Sequence, residues 1–497
     1  MNLRRGVIRG ALSLGSARVA MSLLNAAGMI VLARILTPDD FGIIAIATAV
    51  VSVIVAATEA ALQQALVQCR EPTRAHIDTV WTLSLIRAGL ILAATALAAW
   101  PLAHVYGDDR LAGVFLVAGL TGAFMDFYNP LLTVATRHLR FRPLVVFQIG
   151  QKVAGLGLAV SLAFAMGNFW GIVIGNAVGT LLASLASYAI VRFRPAFSLA
   201  RVQEIWRFSG WMFLNQLVET LNWRFDQLII GLAVTKAQLG QYSVADSFAV
   251  IPSRELSFPL RNALFPGLSR VADQPVTLRR AFLQAQTGVA LVTAPGAIGL
   301  ALLAEPAVAL LLGPRWAATA PLLQWLAVTY AFDTFITVIR PLGMAMGETK
   351  YLFLRQLVAL FVRIPLILGG LMVGGLVGAA AGRAASSLAN CLISFVIARR
   401  LVAVGVWTQI QSHSLTLASL LVMTAAVRMV EGTLPPSVSG QPLLQMLVLI
   451  PVGALAYGGA VLALWSLAGR RDGAVTELLG IAARMPGMAV FGKLRSI

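Results

Sequence analysis

The chain has 497 residues, of which 59% are hydrophobic and only 12% charged. A soluble globular domain is about 45–50% apolar and about 25% charged, so a soluble fold is excluded. The formal net charge is +18. In a soluble protein that excess would point to nucleic acid, but here it has to be sorted by side of the membrane first.

Apolar runs long enough to span a bilayer, which takes about 20 residues, recur from end to end. Fourteen spans are expected, near 11–36, 42–66, 79–101, 112–136, 144–166, 171–191, 209–234, 242–267, 283–304, 319–346, 353–374, 376–398, 411–430 and 443–468. The first is basic at its start and too long for a cleaved signal core, so it reads as a retained span. The loops are short, and none offers the roughly 50 residues that a separate domain needs. The basic linker 192–208 and the tail 469–497 have the amphipathic character of interfacial segments. Two distant cysteines and four scattered histidines give no disulfide framework and no metal site.

Lys/Arg bias sets orientation. With the N-terminus in the cytoplasm, the inner loops hold 24 basic residues and the outer loops only Arg110, Lys236 and Arg315. Both termini are therefore expected on the inner side. The net charge is then mostly a topology signal, and no nucleic-acid partner is expected.

An internal repeat is also present. LTPDDFGIIAIA (36–47) resembles VTKAQLGQYSVA (234–245), with Thr37, Gly42 and Ala47 matching Thr235, Gly240 and Ala245 at an offset of 198. AFMDF (123–127) resembles AFDTF (331–335) at an offset of 208. An offset of six spans preserves orientation and implies two parallel lobes related by an axis along the membrane normal. The expected architecture is all-α and integral to the membrane, with about 14 transmembrane helices. Residues 1–191 form the N-terminal lobe, 192–208 a cytoplasmic linker and 209–398 the C-terminal lobe around a central cavity. Residues 399–497 carry two extra helices and a cytoplasmic tail.

Ionisable residues inside a bilayer are costly and face a bundle interior or a wet cavity. The embedded acids are Glu59, Asp126, Glu219, Asp226, Asp246, Glu255 and Asp333. The embedded bases are Arg18, Arg34, Arg87, Lys152, Arg224, Arg254, Arg261, Arg340, Arg363, Arg383 and Arg428. Arg34 and Arg428 lie near outer ends, and Arg87 and Lys152 lie within snorkelling reach of the inner interface. Several of the others form helical stripes. Asn215, Glu219, Asn222 and Asp226 share one face. Arg254 and Arg261, seven apart, lie within about 20° of each other. Span 10 has Thr329, Asp333, Thr337 and Arg340, and span 1 has Arg18, Ser22 and Asn25. Each stripe has two readings, helix-to-helix contact at about 1 kcal/mol or the lining of a cavity; the whole set favours a cavity. The embedded balance of +4 makes that cavity anion-preferring. Arginine's planar fork suits phosphate, which gives Arg18, Arg224, Arg254 and Arg261 as candidate phosphate-binding residues. Asn25, Glu59, Asp126, Glu219, Asp226, Asp246, Asp333, Arg340 and Arg363 are candidates for lining the cavity or coupling an ion. No residue is expected to be catalytic.

LARILTPDDFG (32–42) resembles the L-A-R-x-L-x-P-x-x-F-G signature of the Wzx-type polysaccharide flippases. These belong to the multidrug/oligosaccharidyl-lipid/polysaccharide exporter superfamily. Matches continue through ALVQ (65–68), RHLRF (137–141), FSGW (208–211), IIGLAVTKAQLGQYSVA (229–245), LFPGLSRV (264–271), LLGPRWAATAPLLQWLA (311–327) and MAMGETK (344–350). The resemblance implies a two-lobe transporter that moves a polyprenyl-pyrophosphate-linked oligosaccharide to the outer leaflet by alternating access. It also implies no cofactor, with coupling to protons or sodium open. The partners it implies are lipid-linked oligosaccharide, membrane lipids, and a polysaccharide polymerase with export machinery. Other readings are a drug or ion antiporter of the same superfamily, against which the embedded +4 argues, and a membrane-embedded sugar polymerase or ligase, against which the short outer loops argue.

Overall fold

The computed structural model describes residues 20–59, 62–69, 72–137, 142–469 and 475–476. Arg18, the basic N-terminus and most of the expected tail lie outside the described residues, as do the side chains of Asn215 and Arg261. The described residues are helical almost throughout. They form two compact units, one up to Val244 and one from Ala245 on.

In the first unit the helices are α1 (Ala20–Ile35), α2 (Pro38–Ala57), α3 (Leu62–Gln68), α4 (Arg74–Val105), α5 (Arg110–Met125), α6 (Leu131–Arg137), α7 (Arg142–Met166), α8 (Trp170–Ile190) and α9 (Val202–Ala233). Helix α10 (Lys236–Ser269) runs from this unit into the second. There follow α11 (Pro275–Leu302), α12 (Ala304–Leu311), α13 (Thr319–Thr334), α14 (Ile339–Ala345), α15 (Thr349–Val402), α16 (Val406–Ser412), α17 (Ser414–Thr433), α18 (Pro436–Ser439) and α19 (Pro442–Leu467). Nine helices among the described residues are long and apolar enough to cross a bilayer, as expected of a multi-pass membrane protein. Helices α9 and α10 are not among the nine; they carry the charged stripes seen in the sequence.

Three expected spans are interrupted. The second ends as a helix at Ala57 and resumes at Leu62. The fourth stops at Met125, because Pro130 has no N–H to continue the ladder. Helix α8 satisfies the freed backbone groups. Ser184 donates to the Phe124 carbonyl, Tyr188 to that of Phe127, and the Asn129 amide donates to Ser187. The tenth tightens after Thr334 into i+3 hydrogen bonds before α14. The eleventh and twelfth meet at Gly374 and Gly375, and Gly375 takes a φ of 57°.

The linker after α8 is an extended strap laid on α4. Its amides at Ala196, Ser198 and Arg201 donate to the side chains of Asp78, Thr82 and Thr79. Phe193 is buried, and Arg74 reaches the carbonyl of Arg194.

The repeat becomes geometry at the starts of α2 and α10. Thr37 and Asp40 form a capping box, with the Thr37 amide 2.9 Å from an Asp40 oxygen. Thr235 and Gln238 do the same, with the amides of Thr235 and Gln238 donating to the partner's side chain at 3.1 and 3.3 Å. Each box satisfies amides that a helix N-terminus leaves open. The two starts then pack on each other. A Cβ at Gly42 would lie 1.8 Å from the carbonyl oxygen of Lys236, and one at Gly240 would lie 1.9 Å from that of Pro38. Residues 38 and 42 are the repeat partners of 236 and 240, so the contact is reciprocal, as across a local two-fold axis.

Gly240→Ala forces a methyl into backbone that cannot yield. Overpacking of this kind costs about 1–3 kcal/mol, so the melting temperature of the purified protein should fall. Gly299→Ala, whose added Cβ would meet nothing within 4 Å, is the control. It should leave stability unchanged or raise it, because alanine is the better helix former.

Candidate functional site

In the first unit, three embedded charges converge. Arg87 lies in α4, Asp126 caps the C-terminus of α5, and Glu59 lies just beyond α2. The two terminal nitrogens of Arg87 reach Asp126 and Glu59, each at 2.8 Å. Its remaining donors go to the carbonyls of Thr58 and Val55, both at 3.1 Å. The guanidinium thereby spends its fork on two carboxylates and two carbonyls at a helix end. One Asp126 oxygen is buried with no hydrogen-bond partner among the described residues. Arg87 was expected to snorkel to the interface, but it turns inward, with 13% of its side chain exposed. Reaching the interface would leave two carboxylates at membrane depth without a counter-charge.

A second network ties together three helices of the second unit. Arg383 of α15 is 97% buried and pairs with Asp246 of α10 at 2.8 Å. It donates to the Tyr330 hydroxyl of α13 at 2.9 Å, and that hydroxyl donates to Asp246 at 2.7 Å. The guanidinium also lies over the Tyr330 ring, 5.4 Å from its centre. Ser387, one turn on from Arg383, donates to Asp333 at 2.9 Å. Asp333 also feels the positive charges of Arg363, Arg383 and Arg355.

Asp126 and Asp333, which lie in the two segments of the second repeat one position out of register, thus both sit where an apolar helix is interrupted. Each is met by polar groups from neighbouring helices. The other candidates are more dispersed. Asp226 is buried and accepts from Tyr242 at 3.2 Å. Arg224 donates to Gln227 at 3.0 Å, one turn along the same helix. Glu219 is half-buried, and Asn25 and Arg340 are exposed. Helix α10 buries Phe248, Ala249, Ser253 and Ser257 and leaves Arg254 exposed. No acidic side chain pairs with Arg254 among the described residues.

Three residues that carry these networks were not singled out as site candidates: Arg87, Tyr330 and Arg383. Arg87 and Arg383 had a signal in the sequence, an arginine within an apolar run. Tyr330 had none, because a tyrosine in an apolar span is ordinary packing until its hydroxyl is placed.

Comparison with known proteins gives a consistent picture. A family model described as a polysaccharide biosynthesis protein matches residues 31–321. Lipopolysaccharide biosynthesis protein WzxC of Escherichia coli (strain K12) is 24% identical over 381 residues, covering 76% of this chain and 77% of that protein. Succinoglycan biosynthesis transport protein ExoT of Rhizobium meliloti (strain 1021) is 27% identical over 325 residues, covering 65% of this chain and 66% of ExoT. Among solved structures, the lipid II flippase MurJ in an inward closed conformation aligns with a TM-score of 0.76 at 15% identity. The alignment covers 91% of this chain and 99% of that one, a likeness of fold.

Removing one partner of a buried ion pair costs about 3–5 kcal/mol because it leaves an uncompensated buried charge. Arg87→Met should therefore destabilise the protein strongly. Adding Glu59→Gln and Asp126→Asn to it should recover most of the loss. Thermal unfolding of the three proteins in one detergent checks the order; a triple variant no better than the single one would contradict the assignment.

Proposed function

Because the chain belongs to the polysaccharide biosynthesis protein family, we propose that it is a flippase. In this reading it translocates a polyprenyl-pyrophosphate-linked oligosaccharide from the inner to the outer leaflet of the cytoplasmic membrane by alternating access. The product supplies exopolysaccharide, capsule or O-antigen synthesis, and the protein acts as a transporter with no catalytic step of its own. Both termini lie in the cytoplasm, and a polymerase and export machinery receive the flipped lipid.

The observation that supports an anionic head group is the fate of the embedded charges. Glu59, Asp126 and Asp246 are held by Arg87 and Arg383, while Arg254 stays exposed on α10. Arg254, with Arg261 on the same helix, receives the pyrophosphate. Arg18 and Arg224 offer the same chemistry from the first unit. The remaining polar candidates, Asn25, Glu219, Asp226, Asp333, Arg340 and Arg363, serve the path of the head group or ion coupling. An inside-negative potential assists outward movement of negative charge by about 2.3 kcal/mol per charge per 100 mV. Protons or sodium supply any further coupling.

Arg254→Glu tests the reading. In proteoliposomes loaded with a labelled polyprenyl-pyrophosphate oligosaccharide, it should lower translocation at least tenfold or so, since a hydrogen bond to a charged group is worth about 1.5–3 kcal/mol. Arg254→Lys, which keeps the charge but loses the fork, should retain an intermediate rate. Full transport by a folded Arg254→Glu protein would overturn the assignment.

A further inference from the structure

The second unit contains a cluster of uncharged polar side chains that neither ion network uses. Gln286 of α11 is fully buried, and its amide nitrogen donates to the Phe335 carbonyl at 3.0 Å. Phe335 is the C-cap of α13, so this bond satisfies an open helix end. Gln409 of α16 is also fully buried and donates to the carbonyls of Phe395 and Val404 at 2.9 and 3.1 Å. Both amides have thus spent their nitrogens on backbone, and both side-chain oxygens are buried with no partner among the described residues.

His413 joins the two glutamines. It stands between α16 and α17 and is 2% exposed. Its ring meets the edge of Phe335 at 4.8 Å and stacks on Phe395 at 6.1 Å, the two residues whose carbonyls hold the glutamine amides. Neither ring nitrogen has a partner among the described residues. Thr416 and Ser419 follow on the same face of α17, fully buried, with unpartnered hydroxyls. Thr424, further along that helix, instead bonds the Leu420 carbonyl in the usual way.

The chemistry of the cluster is lopsided. It presents two amide oxygens, two hydroxyl oxygens and an imidazole lone pair against three hydrogens, those of the two hydroxyls and the imidazole N–H. Each buried group left without a partner carries a desolvation cost; Gln286, Gln409 and His413 meet through Phe335 and Phe395, and Thr416 and Ser419 lie one and two turns further along α17. The complementary ligand is compact and electropositive. No carboxylate belongs to the cluster, which disfavours a divalent ion, since such ions take carboxylate ligands. Carbonyl and hydroxyl oxygens suffice for an alkali cation, as they do where backbone carbonyls replace an ion's hydration shell.

We propose that Gln286, Gln409, Thr416 and Ser419, beside a neutral His413, form a binding site for a monovalent alkali cation in the second unit. The site is separate from the arginines ascribed to the head group and stands or falls independently of them.

The test uses the full-length purified protein in detergent, with sodium, potassium or lithium chloride set against choline chloride at matched ionic strength. Sodium or potassium should raise the melting temperature by about 2–4 °C once it exceeds its Kd about tenfold. The double variant Thr416→Val with Ser419→Ala loses no hydrogen bond to the described protein. It should be at least as stable as the parent in choline and gain nothing from alkali salt. Saturable binding of radiolabelled sodium to the unaltered protein is the second measurement, independent of how any variant folds. A melting temperature indifferent to all three alkali cations, a shift kept in full by the double variant, or sodium binding that does not saturate would each overturn the proposal. The first of these is the behaviour of a cluster that holds water alone.

Discussion

An arginine placed inside an apolar bundle has to find its acceptors within the protein, because the surrounding hydrocarbon offers none. That constraint organises both units. Arg87 draws the C-terminal ends of α2 and α5 onto α4, and Arg383 holds α10 and α13 onto α15. In each case an arginine from a regular helix serves groups at which other helices pause or cross. The hydrogen bonds a broken helix gives up in lipid are costly, and a guanidinium with five donors can return several at once. The interruption of α5 and the position of Arg87 therefore explain each other.

The internal repeat has the same physical basis. What the two halves share in sequence is sparse: a capping threonine, a glycine and an aspartate beside a phenylalanine. These are the positions where side-chain identity is forced. Thr37 and Thr235 must accept an amide, Gly42 and Gly240 must admit another backbone, and Asp126 and Asp333 must meet polar partners at a helix break. Elsewhere any apolar residue of suitable volume serves, and the similarity has faded.

The helices and their order were legible because hydropathy reports burial directly; LTPDDFG stood out as a repeat and a signature, whereas its capping box, which starts the helix at Pro38 and not at 42, came only from the structure. The broken spans were less so: the run around Asp126 stays apolar on both sides, and only Pro130 marks the break. The pairing of charges was not legible at all. Stripes on one helix give the direction of a side chain but not which helix it meets, so Arg87 read as snorkelling although its carboxylates lie 28 and 39 residues away. Tyr330 and the neutral cluster around His413 lay further out of reach, because uncharged residues in an apolar span leave no imbalance to notice.

That difference bears on how the charge of the chain is read. On the orientation expected from the Lys/Arg bias, most of the +18 is an inner-loop excess and a small part is embedded. Two arginines pair with three of the seven embedded carboxylates, so those three are neutralised by architecture. Arg254 is exposed on a helix that buries Phe248, Ala249, Ser253 and Ser257. Unlike Arg87 and Arg383, it pairs with no acidic side chain among the described residues. Keeping such a guanidinium at membrane depth has a cost, and in the reading proposed above an anion that passes through offsets that cost while it is bound.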